Sequence, residues 1–315
     1  FSWVPTMPSL RGRIFRVLVK HTVGAKFRRA GTSVAKMRAL TEFFTDSQKI
    51  PPGTEITPIA VEGRSAEWVR APDTCTDAAV LFLHGGAFVM GAPATHRELA
   101  ARLSASIGAP LLSLDYRLAP EHPFPAAVED ALAAYQWLLG EGYPPTKLAI
   151  GGDSAGGSLA LQTLMTMRDN GVDQPAAAFL MAPQSDFVRL DGESFSSLVG
   201  VDPLLTQEMC RFTTSLYVGD ADPDTPLLFP ARADLGGLPP LCIHVGEHDL
   251  LLSDSLRLAE RARACGVAVE LKTWPGMWHV FQAAARFVPE ARRSIERIGR
   301  FVAKEISGQE RDRPR

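Results

Sequence analysis

Ser154 stands between two glycines, Gly152 two places before it and Gly156 two places after. An apolar run, Leu148-Ala149-Ile150, leads in. Small residues and an apolar helical pattern, Ser158 to Met167, lead out. This reads as strand, sharp turn and helix with Ser154 at the apex, which presents a serine hydroxyl at the carboxyl end of a sheet. Glycines suit such a turn because it brings neighbouring chain to where a Cβ would clash. The helix start aims its unpaired N–H groups at the same point.

A serine hydroxyl is a weak nucleophile at neutral pH and needs a base, and the base needs an orienting acid. In a parallel sheet both belong just past the carboxyl ends of strands. The expected strand Leu241–Val245 leads into Gly246-Glu247-His248-Asp249, and the expected strand Val267–Thr273 leads into Trp274-Pro275-Gly276-Met277-Trp278-His279. The chain order Ser154, Asp249, His279 is that expected of an α/β-hydrolase. His248 and His84 are rival bases, but neither follows a strand later than the acid. Glu247 and Asp254 are rival acids, and Asp254 reads as a solvated carboxylate in the first turn of the next helix. The developing oxyanion needs backbone donors. Gly85 and Gly86, in a turn after the run Ala78–Leu83, supply them, together with the Ala155 N–H. Phe88, Leu204, Leu205 and Phe212 are candidate linings of an apolar substrate pocket.

The elements that must hold these residues alternate. Strands are expected at Glu55–Val61, Ala66–Arg70, Ala78–Leu83, Pro110–Leu114, Lys147–Ile150, Ala176–Ala182, Leu241–Val245 and Val267–Thr273. Helices are expected at Thr95–Ser106, Ala126–Leu139, after Ser154, at Ser253–Cys265 and from Pro289 to Ile306. The segment Asp115–Pro125 is proline-rich and reads as an extended loop. Such alternation implies an α/β protein, a parallel sheet with helices on both faces. Residues 1–45 read as helices broken at Gly24 and Gly31. Residues 184–231 break the rhythm, with a helix at about Thr206–Tyr217, and read as an insertion over the strand ends. The expected organisation is therefore a cap from 1–45 and 184–231 over a catalytic domain from 46–183 and 232–315. The tail Gly308–Arg315 is polar and expected to fray.

Length and charge limit the function. A chain of 315 residues, 46% hydrophobic and 22% charged, suits a globular protein with a large core. The net charge of −2 argues against nucleic acid as a partner. No apolar run reaches the roughly 18 residues of a membrane span, and no secretory pattern precedes the fold. The chain opens on Phe1, so the start is trimmed or an initiator lies upstream. Cys75, Cys210, Cys242 and Cys265 are widely spaced and read as reduced thiols, not as a disulfide framework or metal site. A cytoplasmic enzyme with no metal and no cofactor is expected. Charge is uneven, however. Residues 1–41 carry nine Lys/Arg and no Asp or Glu, leaving 24 basic against 35 acidic side chains elsewhere, a net −11. That basic start reads first as an amphipathic segment packed on an acidic body, with a membrane-surface helix or a transit peptide as the alternatives.

Three longer motifs add to this reading. His84-Gly85-Gly86-Ala87-Phe88, Tyr116-Arg117-Leu118-Ala119-Pro120-Glu121-His122-Pro123-Phe124-Pro125-Ala126-Ala127 and Gly152-Asp153-Ser154-Ala155-Gly156-Gly157 resemble the hormone-sensitive-lipase-like esterases, and the similarity runs over about residues 78–305. The resemblance implies an α/β-hydrolase fold with an eight-stranded sheet and a helical cap, and hydrolysis of short-acyl carboxylic esters. It places nucleophile, acid and base on Ser154, Asp249 and His279 and the oxyanion glycines on Gly85 and Gly86. It also implies a homodimer formed through the last strand. Two departures are visible. Ala87 stands where a third glycine is usual, which narrows the alcohol side, and Leu250 stands where proline usually follows the acid. A non-catalytic receptor on this fold is the rival from another class, and the presence of the base His279 speaks against it. An amidase, lactonase or deacetylase would use the same triad.

Overall fold

The computed structural model describes residues 7–308. Eight strands form one sheet: β1 (Glu55–Val61), β2 (Arg64–Arg70), β3 (Ala79–Leu83), β4 (Leu111–Leu114), β5 (Leu148–Asp153), β6 (Ala177–Met181), β7 (Leu241–Gly246) and β8 (Val269–Trp274). Their spatial order is β1-β2-β4-β3-β5-β6-β7-β8. β1 pairs antiparallel with β2, and β2 with β4, while every later pairing is parallel.

The sheet divides the core because side chains alternate along each strand. On β3, Leu81 and Leu83 point to one face, and Val80 and Phe82 to the other. The first face is covered by α5 (Ala126–Gly140), α6 (Ala155–Asp169) and α9 (Leu252–Ala264). The second is covered by α4 (Pro93–Ile107) and α10 (Pro289–Ile306). All five residues of β3 are buried, which is why that run carries no polar residue.

Two further groups lie outside these layers. α1 (Leu10–His21), α2 (Val23–Ala30) and α3 (Val34–Ser47) precede the sheet, and α7 (Glu193–Ser197) and α8 (Gln207–Val218) lie in the strand-free stretch between β6 and β7. They meet one another: Lys20 Nζ donates to the Gly200 carbonyl at 2.6 Å, and Ala30, Met37 and Met209 share one apolar cluster. The helical break expected at Gly24 falls instead at Thr22, and Gly24 lies inside α2. Its missing Cβ admits the Pro203 carbonyl from this second group. The break at Gly31 is present, with φ +57°. The start 1–6 and the tail 309–315 lie outside the described residues. No helix among the described residues is long and apolar enough to cross a membrane. All four cysteines are free thiols.

Candidate active site

β5 ends and α6 begins at Ser154, whose φ of +51° is one that a residue with a Cβ adopts only under constraint. The constraint is contact. A Cβ on Gly152 or Gly156 would run into the Leu83 carbonyl, so β3, β5 and the start of α6 approach closer than any other residue permits. The Ser154 N–H donates to the Met181 carbonyl at 2.7 Å, which ties the turn to β6.

The two loops beyond β7 and β8 bring Asp249 and His279 to this turn. His279 Nε2 lies 2.8 Å from Ser154 Oγ, and His279 Nδ1 lies 3.0 Å from Asp249 Oδ1. A carboxylate only accepts, so Nδ1 carries the ring proton and Nε2 is left to accept from the serine hydroxyl. Asp249 is fully buried, and its Oδ1 also accepts the Leu251 N–H at 2.9 Å. Burial pulls the pKa of His279 down. The charge and hydrogen bond of Asp249 outweigh it, Asp202 and Asp153 add to the same side, and the net shift is upward.

Asp202 was not foreseen. It is buried, and its Oδ1 accepts from the Leu204 and Leu205 N–H groups at 2.8 and 3.1 Å, while its Oδ2 accepts from the Leu250 N–H at 2.9 Å. One carboxylate thus joins the stretch between β6 and β7 to the residue after Asp249. Burial, and then the charge of Asp249, push its pKa above the usual carboxylate range. An Asp before a proline signals a turn, and nothing in that signal says what the turn will face.

The rival groups have other work. Glu247 Oε2 accepts the Gly276 N–H at 2.8 Å, clamping the acid loop to the base loop. His248 Nδ1 lies 2.5 Å from Arg16 Nη1 of α1. His84 is fully buried and donates from Nδ1 to the Gly85 carbonyl at 2.8 Å, and burial lowers its pKa to about 3, so it stays neutral. Asp254 is not the solvated first-turn carboxylate expected: it lies in the first turn of α9 but is only 6% exposed. Its Oδ1 accepts from the Ser185 and Asp186 N–H groups at 2.8 and 3.2 Å, because the chain leaving β6 folds over the start of α9.

The glycine turn after β3 requires one correction. The Gly85 N–H donates to Asp153 Oδ1 at 3.2 Å, which takes it from the donors available to an oxyanion. A Cβ there would collide with the same carboxylate, so Gly85 serves close approach. Asp153 is held in turn by His96 Nε2 at 3.4 Å. Burial works to raise its pKa, but His96 and then His84 prevail, and the net shift is downward. Among the described residues, the N–H groups of Gly86, Ala87 and Ala155 meet no acceptor. Ala87 has φ +54°, a conformation natural to glycine.

The cavity at Ser154 is small, about 30 Å³, and is lined by Ala87, Phe88, Gln184, Phe187, Leu205 and Met209 among others. That is space for roughly one water. Phe88 and Leu205 line it as expected. Leu204 and Phe212 do not: Leu204 packs against the core under α10, and Phe212 against the cluster of Ala30, Met37 and Met209. Phe88 stacks on Tyr217 of α8 with centroids 3.6 Å apart, which fixes it as one wall. Open grooves of about 460 and 390 Å³ elsewhere are lined by none of the triad residues.

The same architecture is known in other proteins. The alpha/beta hydrolase fold family matches residues 80–283. An acetyl-hydrolase of Streptomyces hygroscopicus is 42% identical over 253 residues, which is 80% of this chain and 83% of that protein. A carboxylesterase/phospholipase of Mycobacterium tuberculosis, LipF, is 36% identical over 261 residues, 79% of this chain and 69% of that one. Among solved structures, an esterase from the bacterial hormone-sensitive lipase family superposes with a TM-score of 0.89 at 39% identity, covering 96% of this chain and all of that one.

Proposed function

The chain belongs to the hormone-sensitive-lipase-like family of the alpha/beta hydrolases and is a carboxylesterase, and we propose that it acts through an acyl-enzyme on Ser154. His279 Nε2 takes the hydroxyl proton as Oγ attacks the ester carbonyl carbon. The carbonyl oxygen then carries the negative charge and is met by the N–H groups of Gly86, Ala87 and Ala155. Such donors are each worth roughly 3–4 kcal/mol to the transition state. The imidazolium, oriented and stabilised by Asp249, gives its proton to the departing alkoxide. Water, activated by the same imidazole, then attacks the acyl carbon and releases the acid. The observation that carries this reading is the unbroken hydrogen-bond chain from Ser154 through His279 to Asp249, at 2.8 and 3.0 Å.

Among the described residues, 7–45 and 184–231 together form the cap of this enzyme, over a catalytic domain of 46–183 and 232–308. The contacts of α1, α2 and α3 with Gly200, Pro203 and Met209 support one cap built from both segments. The substrates are esters with short acyl chains. A cavity of about 30 Å³, walled by Phe88, Phe187 and Met209, favours small groups, and the name of the acetyl-hydrolase relative agrees. β8 is an open edge of the sheet, available to pair with β8 of a second copy.

A series of p-nitrophenyl esters from acetate to palmitate, read as kcat/KM, tests the substrate class. Acetate and butyrate are expected to exceed palmitate by at least about tenfold, one methylene in a pocket being worth ~1 kcal/mol or more. A preference for palmitate overturns the short-chain reading. A sulfonyl fluoride is expected to block activity with one adduct, on the peptide carrying Ser154. An adduct elsewhere overturns the acyl-enzyme assignment.

A further inference from the structure

α1 is amphipathic in an unusual direction. Its inner face packs on the protein. Gly12 and Val19 are buried, Phe15 stacks on Trp278 and on Phe287, and Arg16 reaches His248. Its outer face is apolar as well: Leu10 is 64% exposed, Ile14 60%, Val17 54% and Leu18 51%, and Met7 just before the helix is 80% exposed. Of the nine large apolar side chains exposed among the described residues, these five fall within twelve residues of chain, so the exposure is concentrated, not scattered. At 3.6 residues per turn, Leu10, Ile14, Val17 and Leu18 span an arc of about 100°.

Charge edges that stripe on both sides. Arg13 and Lys20 follow it on one flank and Arg11 on the other, with His21 along its midline. Arg11 and Arg13 make no ion pair among the described residues, and Lys20 is held only by the Gly200 carbonyl. Residues 1–41 contain no Asp or Glu. Two copies meeting through this face by two-fold symmetry would set these basic edges against each other with no acid between them. An anionic bilayer accepts both features at once. Its acyl region takes the stripe, its phosphates take the flanking cations, and the long Arg and Lys side chains reach up from the edge.

We infer that α1 is a membrane-surface element, lying in the headgroup layer of an anionic phospholipid bilayer with Leu10, Ile14, Val17 and Leu18 inserted and Arg11, Arg13 and Lys20 on lipid phosphate. The inner face of the same helix sits on the loops that bear Asp249 and His279, through Arg16–His248 and Phe15–Trp278. Docking therefore holds the reaction site beside the lipid. The inference does not depend on the triad being catalytic.

Co-sedimentation of the full chain with vesicles tests it, comparing pure phosphatidylcholine with about 30% phosphatidylglycerol at about 50 and 500 mM salt. Binding is expected on the phosphatidylglycerol vesicles at low salt, weakened at least about tenfold at high salt or on phosphatidylcholine alone. Ile14→Glu with Leu18→Glu, and separately Arg11→Glu with Arg13→Glu, are each expected to reduce partitioning on the order of tenfold or more. Hydrolysis of p-nitrophenyl butyrate by both variants stays at the wild-type level, which shows that they are folded. Ser154→Ala binds vesicles like the wild type, so loss of catalysis and loss of docking are read separately. Equal sedimentation with and without vesicles overturns the inference, as does binding that the four substitutions leave unchanged. A concentration-dependent dimer in sedimentation velocity that Ile14→Glu with Leu18→Glu dissolves also overturns it, assigning the face to a second copy.

Discussion

Replacing Ala87 by glycine acts on the wall of the cavity at Ser154. Ala87 sits at φ +54°, where a residue with a Cβ is strained by about 1–2 kcal/mol. Glycine relieves that strain but loses more freedom on folding, at a cost of roughly 0.5–1 kcal/mol. The two terms nearly cancel, so Ala87→Gly changes stability by about 1 kcal/mol or less and its kinetics are not confounded by unfolding. The effect on the site is larger. The Ala87 side chain borders a cavity of about 30 Å³. In so small a cavity the loss of one methyl group is a substantial gain in room. One methyl more or less in a pocket is worth ~1–3 kcal/mol, or about 10–200-fold in discrimination. The assay is kcat/KM for tert-butyl acetate against n-butyl acetate, followed by acid release. In Ala87→Gly the tert-butyl to n-butyl ratio is expected to rise at least about tenfold. The n-butyl value itself should hold, because the position 87 N–H is retained. An unchanged ratio in a variant that melts like the wild type refutes the argument that this methyl limits the alcohol group.

Ser154→Ala is expected to lower kcat on p-nitrophenyl butyrate by about 10⁵–10⁶-fold with little change in Tm; a variant that keeps most of its activity removes Ser154 from the mechanism. His279 must be neutral to act as base, and its pKa is raised in part by Asp202. Asp202→Asn therefore shifts the acidic limb of the kcat/KM profile to lower pH, and a limb that does not move shows that this carboxylate does not reach the base. Asp254, with its pKa raised to about 6 by burial, keeps its proton in the folded state to higher pH than in the unfolded chain. Its contribution to stability is full below about pH 4 and is lost as pH rises through about 6, amounting to about 1.4 kcal/mol between pH 5 and pH 8. Asp254→Asn removes that slope, so urea unfolding should find the variant more destabilised relative to wild type at pH 5 than at pH 8; equal differences at both values exclude a raised pKa.

The sheet and the triad positions were legible because each depends on short-range order. Runs such as Ala79–Leu83 have no polar residue to place on either face, and Ser154, Asp249 and His279 each come just after a strand, although the strands before Asp249 and His279 do carry polar residues. What was not legible depends on how elements turn toward one another. Gly85 and Ala87 stand two places apart in one turn, yet the first gives its N–H to Asp153 and the second does not. That register is set by a partner 68 residues away. On α8 the sequence does not tell Phe212 from Met209 and Thr213 as the pocket wall, because the rotation of α8 is fixed by what packs behind it, here Ala30 and Met37 of α2 and α3. Asp254 lay in a first helical turn, a place usually open to water, and only the fold of residues 185 and 186 over it removes that water.

Asp202 has a consequence for anyone who would alter this enzyme. The carboxylate that orders the turn at Leu204 and Leu205, one of which borders the reaction cavity, also bonds Leu250 beside Asp249. One carboxylate thus touches both the cavity wall and the residue beside Asp249. A substitution of Asp202 is therefore expected to alter both the wall at Leu205 and the pH at which His279 gains its proton.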